Sequence, residues 1–247
     1  MKVVSMKRNL AALIAFFIFL FTLLPFPVHA GELFQVSALA QFAQGKYEGP
    51  ITYKELKQRG NLGIGTLNGL DGEMIALDGQ FFQIKSDGKV YSIGESEQTP
   101  FAMVVDFKPD KKLSISEVSD VNKLHRALDG ILPDPAGIYA IKIHGNFNSL
   151  RVRSVPKQEK PYSTLEDALK NQTFFELKNV KGTMVGFRFP DYMKGVNAPG
   201  YHFHFITVDK TAGGHVLECD LQQAEVEMET VSSFRMSPIP NARKVNP

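Results

Sequence analysis

The chain alternates short apolar runs with turn signals over most of its length, which is the pattern of a β-rich protein. Between residues 63 and 93, four Asn-Gly or Asp-Gly dipeptides separate runs of hydrophobic residues. Such dipeptides are the strongest short-range signal for a hairpin turn, so this region is predicted to be a meander of hairpins. Further strands are predicted at 101–107, 138–143, 150–155, 174–178, 182–189, 201–208, 215–217 and 224–231. The pair 138–143 and 150–155 is expected to form a hairpin around His144-Gly145-Asn146.

Four short segments carry helix signals instead. Thr52 and Glu55 have the spacing of a capping box, in which two side chains satisfy backbone donors at a helix start, and Gly60 supplies a stop. Ser163 and Glu166 repeat the same spacing. Helices are therefore predicted at 37–44, 52–59, 119–129 and 163–172.

Together these elements predict an α+β protein with mixed or antiparallel sheets and a few short helices. A helix followed by strands occurs twice, and each half contains a Gly-Thr-apolar start, at Gly65 and at Gly182. These motifs are too short to establish an internal repeat. They lead us to expect two tandem β-rich domains, over 31–135 and 136–247.

The first thirty residues have the order of a secretory signal peptide. A cationic start precedes an apolar stretch from 10 to 26, and Val28-His29-Ala30 fits a small-x-small cleavage site. We therefore expect cleavage after Ala30, a secreted, extracellular protein, and no stable membrane association afterwards. The alternative is an uncleaved anchor, because the apolar stretch is close to membrane-spanning length.

Charge and cysteine content exclude two classes of protein. The full chain has a formal net charge of +2, but Lys2, Lys7 and Arg8 belong to the predicted signal. Without them 25 of the 28 basic residues remain against 26 acidic ones. There is no basic stripe, so no nucleic-acid partner is expected. The lone cysteine, Cys219, rules out an intrachain disulfide framework and is interpreted as a small buried hydrophobe, although its proximity to His215 allows a ligand role.

Three of the six histidines fall within fourteen residues. The run from 201 to 208 is aromatic and β-branched, which favours a strand, and strand alternation puts His202 and His204 on one face. If the return strand after the glycine turn pairs His215 near Ile206, all three imidazoles share that face. Three imidazoles and an open position are the ligand set of a catalytic zinc site. Iron, copper and nickel also accept imidazole, so the site is better defined than its metal.

Several motifs then occur in a fixed order along the chain. They are at 62–68, 70–74, 153–158, 180–183, 199–207 and 213–217. In these motifs the chain resembles the α-acetolactate decarboxylase family along nearly all of its mature length. The resemblance implies a zinc-dependent lyase that converts 2-acetolactate to acetoin and CO2. It also implies a homodimer of subunits with two β-rich domains that carry the site between them.

The resemblance assigns roles to six residues. Three would bind Zn2+, namely His202, His204 and His215, in the C-terminal domain. Three would be catalytic, namely Glu73, Arg153 and Thr66. The family also places a glutamate from its C-terminal tail near the substrate, and here no acidic residue follows Glu229.

These residue types suit the decarboxylation of a 2-hydroxy-3-keto acid. Loss of CO2 leaves an electron pair that must delocalise onto the ketone oxygen, and a dication stabilises the resulting enediolate as a Lewis acid. Arg153 can hold the carboxylate in a bidentate pair. Glu73 can deliver the final proton if its site raises its pKa. Two alternatives stay open, a secreted metal-dependent hydrolase and a non-catalytic metal-binding protein.

Overall fold

The computed structural model describes residues 31–239, so the predicted signal peptide and its cleavage site lie outside the described residues. The described part contains thirteen strands, which we number in chain order. They are β1 Gly31–Val36, β2 Ile51–Thr52, β3 Leu62–Thr66, β4 Glu73–Leu77, β5 Gln80–Ile84, β6 Val90–Ser92, β7 Gln98–Thr99, β8 Phe101–Val105, β9 Lys111–Val118, β10 Ile138–Ser154, β11 Thr173–Phe189, β12 Gly200–Thr207 and β13 Gly213–Ser237.

The helical segments are short and lie between the strands. The α-helices are α1 Leu39–Phe42, α2 Tyr53–Lys57, α3 Val121–Asp129 and α4 Leu165–Leu169, and a 3-10 turn spans Asp191–Met193. All four helices fall inside the predicted segments, and each is shorter than predicted. No helix between residues 31 and 239 has the length and apolar character needed to span a membrane.

One eleven-stranded sheet contains most of the strands, and it has two parts. In the first part β1, β8, β3, β4, β5 and β6 follow one another as antiparallel neighbours. In the second part β10 pairs with β11, β11 with β12, β12 with β13, and β13 again with β10, so these four strands close into a ring. The long strand β13 also pairs in parallel with β1 and antiparallel with β9, which joins the two parts.

The hydrophobic core runs across both parts. One buried cluster contains Ile64 and Met103 of the first part together with Val185 and Phe187 of β11. The described residues from Gly31 onward form one compact unit. The β-rich α+β class is therefore confirmed, whereas the predicted division into tandem domains at residues 135 and 136 is not confirmed.

The predicted hairpin around residues 144–146 is wrong, because β10 continues straight through it. Gly145 pairs with Gly182 on one side and with Ala224 on the other. A Cβ at Gly145 would lie 2.2 Å from the carbonyl oxygen of Gln223, so this glycine permits close backbone approach and does not form a turn. Gly182 has the same function in β11, which joins the separately predicted segments 174–178 and 182–189 into one strand.

The hairpin meander is confirmed, and its turns have the expected backbone. Gly69, Gly72, Gly79 and Gly88 all have positive φ angles, between 73° and 80°. Four strands were not predicted, namely β1, β2, β7 and β9. In β9 the partly buried Leu113 and Ile115 alternate with the exposed Ser114 and Ser116, so the strand pattern was present in the sequence and was missed.

The capping prediction is confirmed at one helix and wrong at another. At α2 the Thr52 side chain accepts from the Glu55 amide, and the Glu55 carboxylate accepts from the Thr52 amide. At α4 the N-cap is Thr164, one residue later than predicted, and its hydroxyl accepts from the amide of Asp167. Ser163 is exposed and caps nothing at this helix.

This one-residue difference can be tested by measuring stability. Thr164→Ala removes the cap and should lower the free energy of unfolding by about 1 kcal/mol. Ser163→Ala is the matched control and should change it by less than about 0.5 kcal/mol, as expected for an exposed substitution. Urea unfolding of both variants measures the two values. A larger loss in Ser163→Ala than in Thr164→Ala would contradict the observed cap.

Candidate metal centre

Strand register brings the three histidines together. His204 on β12 lies directly opposite His215 on β13, and His202 lies two residues away on the same face. The prediction that His215 pairs near Ile206 differs from the observed register by two residues, since Ile206 pairs with Gly213. A shift of two preserves the face, so the predicted clustering is confirmed.

The three imidazoles are close enough to share one ion. One nitrogen from each ring can be chosen so that all three lie within 4.8 Å of one another. The ring centroids are 4.7 to 5.4 Å apart, and Nε2 of His202 lies 3.0 Å from Nδ1 of His215. Within residues 31–239 this is the one group of three or more potential metal-ligating side chains.

The hydrogen bond of His204 fixes which of its nitrogens is free. Its Nδ1 lies 2.7 Å from the carbonyl oxygen of Met74, which can only accept, so Nδ1 carries the proton. Nε2 is then an unprotonated acceptor, buried and without a hydrogen-bond partner. The Glu73 carboxylate is 3.3 Å away, outside hydrogen-bond geometry, and it has no proton to give when ionised. A buried unpaired imidazole nitrogen, with the other nitrogen bonded to a carbonyl, is the usual state of a metal ligand.

Electrostatics keeps the imidazoles neutral. The pKa of His204 is lowered to about 3, mainly by burial and also by the nearby Arg153, while the hydrogen bond to the Met74 carbonyl opposes the shift. Burial is also the largest cause that holds the pKa values of His202 and His215 well below the usual range. Neutral imidazole is the form that binds metal, so the three residues fit a metal ion without loss of a proton near pH 7.

A buried ion pair lies beside the histidines. Arg153 on β10 is the ladder partner of His215 on the side opposite His204. Its Nη1 donates to Oε1 of Glu73 at 2.7 Å. Burial raises the pKa of Glu73, and Arg153 only partly opposes this effect. The direction of this shift agrees with the one that a proton-donating role for Glu73 requires.

All six residues singled out by the sequence line one cavity that is open to solvent. Thr66 is nearly fully buried there, and its hydroxyl donates to the carbonyl oxygen of Gly72 at 2.6 Å. The rest of the lining, apart from Gly65, is apolar and was not predicted from the sequence. It consists of Leu39, Phe42, Leu70, Phe101, Val155 and Leu165.

The other described histidines and the cysteine lie away from this cavity. His125 stacks on Tyr201 with ring centroids 4.6 Å apart, and His144 is exposed beside Thr183. Cys219 is buried and does not line the cavity, in agreement with its interpretation as a hydrophobe. The carbonyl of Met74 could not have been found from the sequence, because any residue type supplies the same backbone acceptor.

Comparison with known proteins identifies the family. The family model described as alpha-acetolactate decarboxylase matches residues 33–244. The chain belongs to this family. An alpha-acetolactate decarboxylase of Methanosarcina mazei is 46% identical over 204 residues, covering 83% of this chain and 71% of the relative. One of Methylococcus capsulatus is 45% identical over 205 residues, covering 83% and 79%.

A solved structure agrees with the fold as well. The crystal structure of alpha-acetolactate decarboxylase from Bacillus subtilis strain 168 matches with a TM-score of 0.83 and 34% identity, covering 85% of this chain and 90% of that one. Membership in the alpha-acetolactate decarboxylase family makes this protein an enzyme of the carboxy-lyase class. The family resemblance described from the sequence motifs is thereby confirmed.

The ligand assignment can be tested by metal binding alone. His204→Ala removes the ligand whose Nε2 is already unpaired and buried. It should weaken zinc binding by more than about 100-fold, since even loss of a residue that hydrogen-bonds to a metal ligand costs about 10- to 100-fold. His125→Ala is the matched control and should bind zinc like the wild type. Titration calorimetry and metal analysis after dialysis give the two results. A folded His204→Ala protein with wild-type zinc affinity would refute the assignment.

Proposed function

We propose that this protein is a zinc-dependent acetolactate decarboxylase that converts 2-acetolactate to acetoin and CO2. The observation that carries the proposal is one cavity in which three neutral imidazoles meet a guanidinium and a buried carboxyl group. The relatives from Methanosarcina mazei and Methylococcus capsulatus are named as alpha-acetolactate decarboxylases, which agrees with the proposed substrate and reaction type. Zinc dependence and the roles of individual residues are proposed here for this chain.

The zinc would be held by His202, His204 and His215. When bound, it supplies a Lewis acid that stabilises the negative charge developing on the substrate's ketone and hydroxyl oxygens. Three neutral ligands suit this function, because they leave the formal charge of the ion undiminished. The unpaired Nε2 of His204 supports its place among them.

Arg153 is proposed to bind the substrate carboxylate. Its position next to His215 in the ladder puts the guanidinium beside the three imidazoles. A bidentate pair would orient the bond that breaks so that it overlaps with the carbonyl π system. The electron pair left on carbon after CO2 departs can then delocalise onto the ketone oxygen, giving the enediolate.

Glu73 is proposed as the acid that protonates the enediolate carbon. Burial raises its pKa, and this favours the protonated form that a proton donor requires. A substrate carboxylate on Arg153 would compete with Glu73 for the guanidinium, which would raise this pKa further. Delivery from one side would set the handedness of the product. Thr66 also lines the cavity, and its oxygen can still accept a hydrogen bond from the substrate hydroxyl.

The metal-dependent hydrolase and the non-catalytic metal-binding protein fit the cavity less well. A hydrolase needs a free base near the metal, whereas Glu73 is held by Arg153 at 2.7 Å. A non-catalytic metal-binding protein does not need an ion pair within the cavity that contains its metal ligands. The arginine inside the cavity therefore favours decarboxylation of an anionic substrate.

Three further proposals rest on the sequence and the family resemblance. The signal peptide over residues 1–30 is proposed to be cleaved after Ala30, giving a secreted protein without stable membrane association. The enzyme is proposed to be a homodimer. Its partner in the reaction is a small 2-hydroxy-3-keto acid, and no nucleic acid is expected.

The reaction can be tested directly with racemic acetolactate. Zinc-loaded protein should produce acetoin and CO2 well above the spontaneous rate, and His204→Ala should fall to that background. Colorimetric acetoin detection and chiral chromatography measure the rate and the handedness of the product. Zinc-loaded wild-type protein that makes no acetoin above background would sink the proposal.

The proposed role of Arg153 can be tested against Arg151, which lies on the same strand and serves as the control. Arg153→Ala should lower kcat/KM by about 100-fold or more, as expected for loss of an orienting charged contact, while zinc content stays intact. Arg151→Ala should leave turnover unchanged, because that side chain points to Glu176 and Glu218. Steady-state kinetics with metal analysis checks both. Equal activities in the two variants would exclude Arg153 as the carboxylate-binding residue.

A further inference from the structure

Two buried side chains donate hydrogen bonds to the turn that precedes Glu73. The hydroxyl of Thr66 donates to the carbonyl oxygen of Gly72 at 2.6 Å. The amide nitrogen Nε2 of Gln83 donates to the carbonyl oxygen of Asp71, also at 2.6 Å. Both side chains are almost fully buried. The carbonyls one and two residues before Glu73 are therefore each held by a side chain from a neighbouring strand.

A third buried side chain holds the other side of Glu73. Ile84 is the ladder partner of Glu73, and its carbonyl oxygen accepts from the hydroxyl of Ser154 at 2.8 Å. Ser154 has no exposed surface. The next residue, Val155, accepts from the amide of Gly72 at 3.0 Å. Two bonds thus join the end of β10 to the strands around Glu73, directly after the residue that pairs with its carboxylate.

The turn needs this support because of its glycine. Gly72 has a φ of +73°, and a Cβ there would lie 2.3 Å from the carbonyl oxygen of Ile84. Glycine is therefore required, but it populates both signs of φ about equally and does not fix the turn by itself. Hydrogen bonds from side chains outside the turn therefore stabilise the turn conformation that positions the Glu73 carboxylate.

We infer that Gln83 and Ser154 are positioning residues that hold the Glu73 carboxyl group at the metal centre. Neither residue lines the cavity, and neither can touch a substrate there. Burying an amide and a hydroxyl is unfavourable unless they make hydrogen bonds, and each makes its bond to the backbone around one catalytic side chain. The inference rests on the proposed function, because it takes Glu73 as the acid of that reaction.

The expected effect is specific to proton delivery. The carboxyl group lies 2.7 Å from Arg153 and 3.3 Å from His204, and small displacements at such a site reduce the rate of the chemical step strongly. The substrate's proposed contacts, Arg153 and the three histidines, lie on β10, β12 and β13, outside the turn. Loss of a positioning bond should therefore lower kcat and leave KM and zinc content unchanged. It should also reduce the enantiomeric excess of acetoin, because water then protonates from either side.

Gln83→Met tests this with a side chain of similar length that has no donor. The expected result is a kcat lower by about 10- to 100-fold, with KM within about twofold of the wild type and a lower enantiomeric excess. Gln35→Met is the matched control. Gln35 is equally buried, but its amide donates to the carbonyls of Ser37 and Val196. The Gln35→Met variant should have the kcat and the enantiomeric excess of the wild type.

Ser154→Ala provides a second, smaller change with the same expected signature, so the test does not depend on one variant folding well. Circular dichroism and zinc stoichiometry first establish that each variant is folded and binds zinc. A crystal structure of either variant should show the Glu73 carboxylate displaced from Arg153. Wild-type kcat and enantiomeric excess in both folded variants would overturn the inference. A loss of bound zinc together with a rise in KM would overturn it as well. A wild-type protein without acetoin production would instead refute the proposed function.

Discussion

The double pairing of His215 is the constraint on which the rest of the site depends. This one residue of β13 is the ladder partner of His204 on β12 and of Arg153 on β10. Side chains of paired residues lie on the same face, so the rung places two imidazoles and a guanidinium in one row. A slip of either pairing by one residue would move its partner to the opposite face. The register that closes the ring of four strands is therefore the register that assembles the site.

The glycines before His215 make this rung possible. A Cβ at Gly214 would lie 2.6 Å from the carbonyl oxygen of Arg153, and one at Gly213 would lie 2.2 Å from that of Phe205. Gly214 also has a φ of +147°, which side chains rarely adopt. The Gly-Gly pair is thus needed for close contact with strands on both sides, in addition to the turn that the sequence suggested.

A feature of the fold or of the site could be predicted from the sequence when neighbouring residues determine it, and could not when distant residues do. The shared face of His202 and His204 follows from strand alternation alone, and His215 follows from parity across a glycine turn. Gly145 was misinterpreted because glycine serves both turns and close strand contacts, and only the distant residue Gln223 decides between them. The bond from His204 to the Met74 carbonyl is equally non-local, since it joins residues 130 positions apart. Residue roles at Glu73, Arg153 and Thr66 came from the family resemblance and not from any local pattern.

Two adjacent residues of β4, Glu73 and Met74, act on the site in different ways. The Met74 carbonyl sets the tautomer of His204, and the Glu73 carboxylate pairs with Arg153. The same strand thus controls both the free imidazole nitrogen and the charge beside it. An unpaired buried acceptor such as Nε2 of His204 costs about 1 to 3 kcal/mol in the folded state. A cation bound there would remove this cost and stabilise the folded state by mass action, so the same unpaired nitrogen that is unfavourable by itself also favours metal binding.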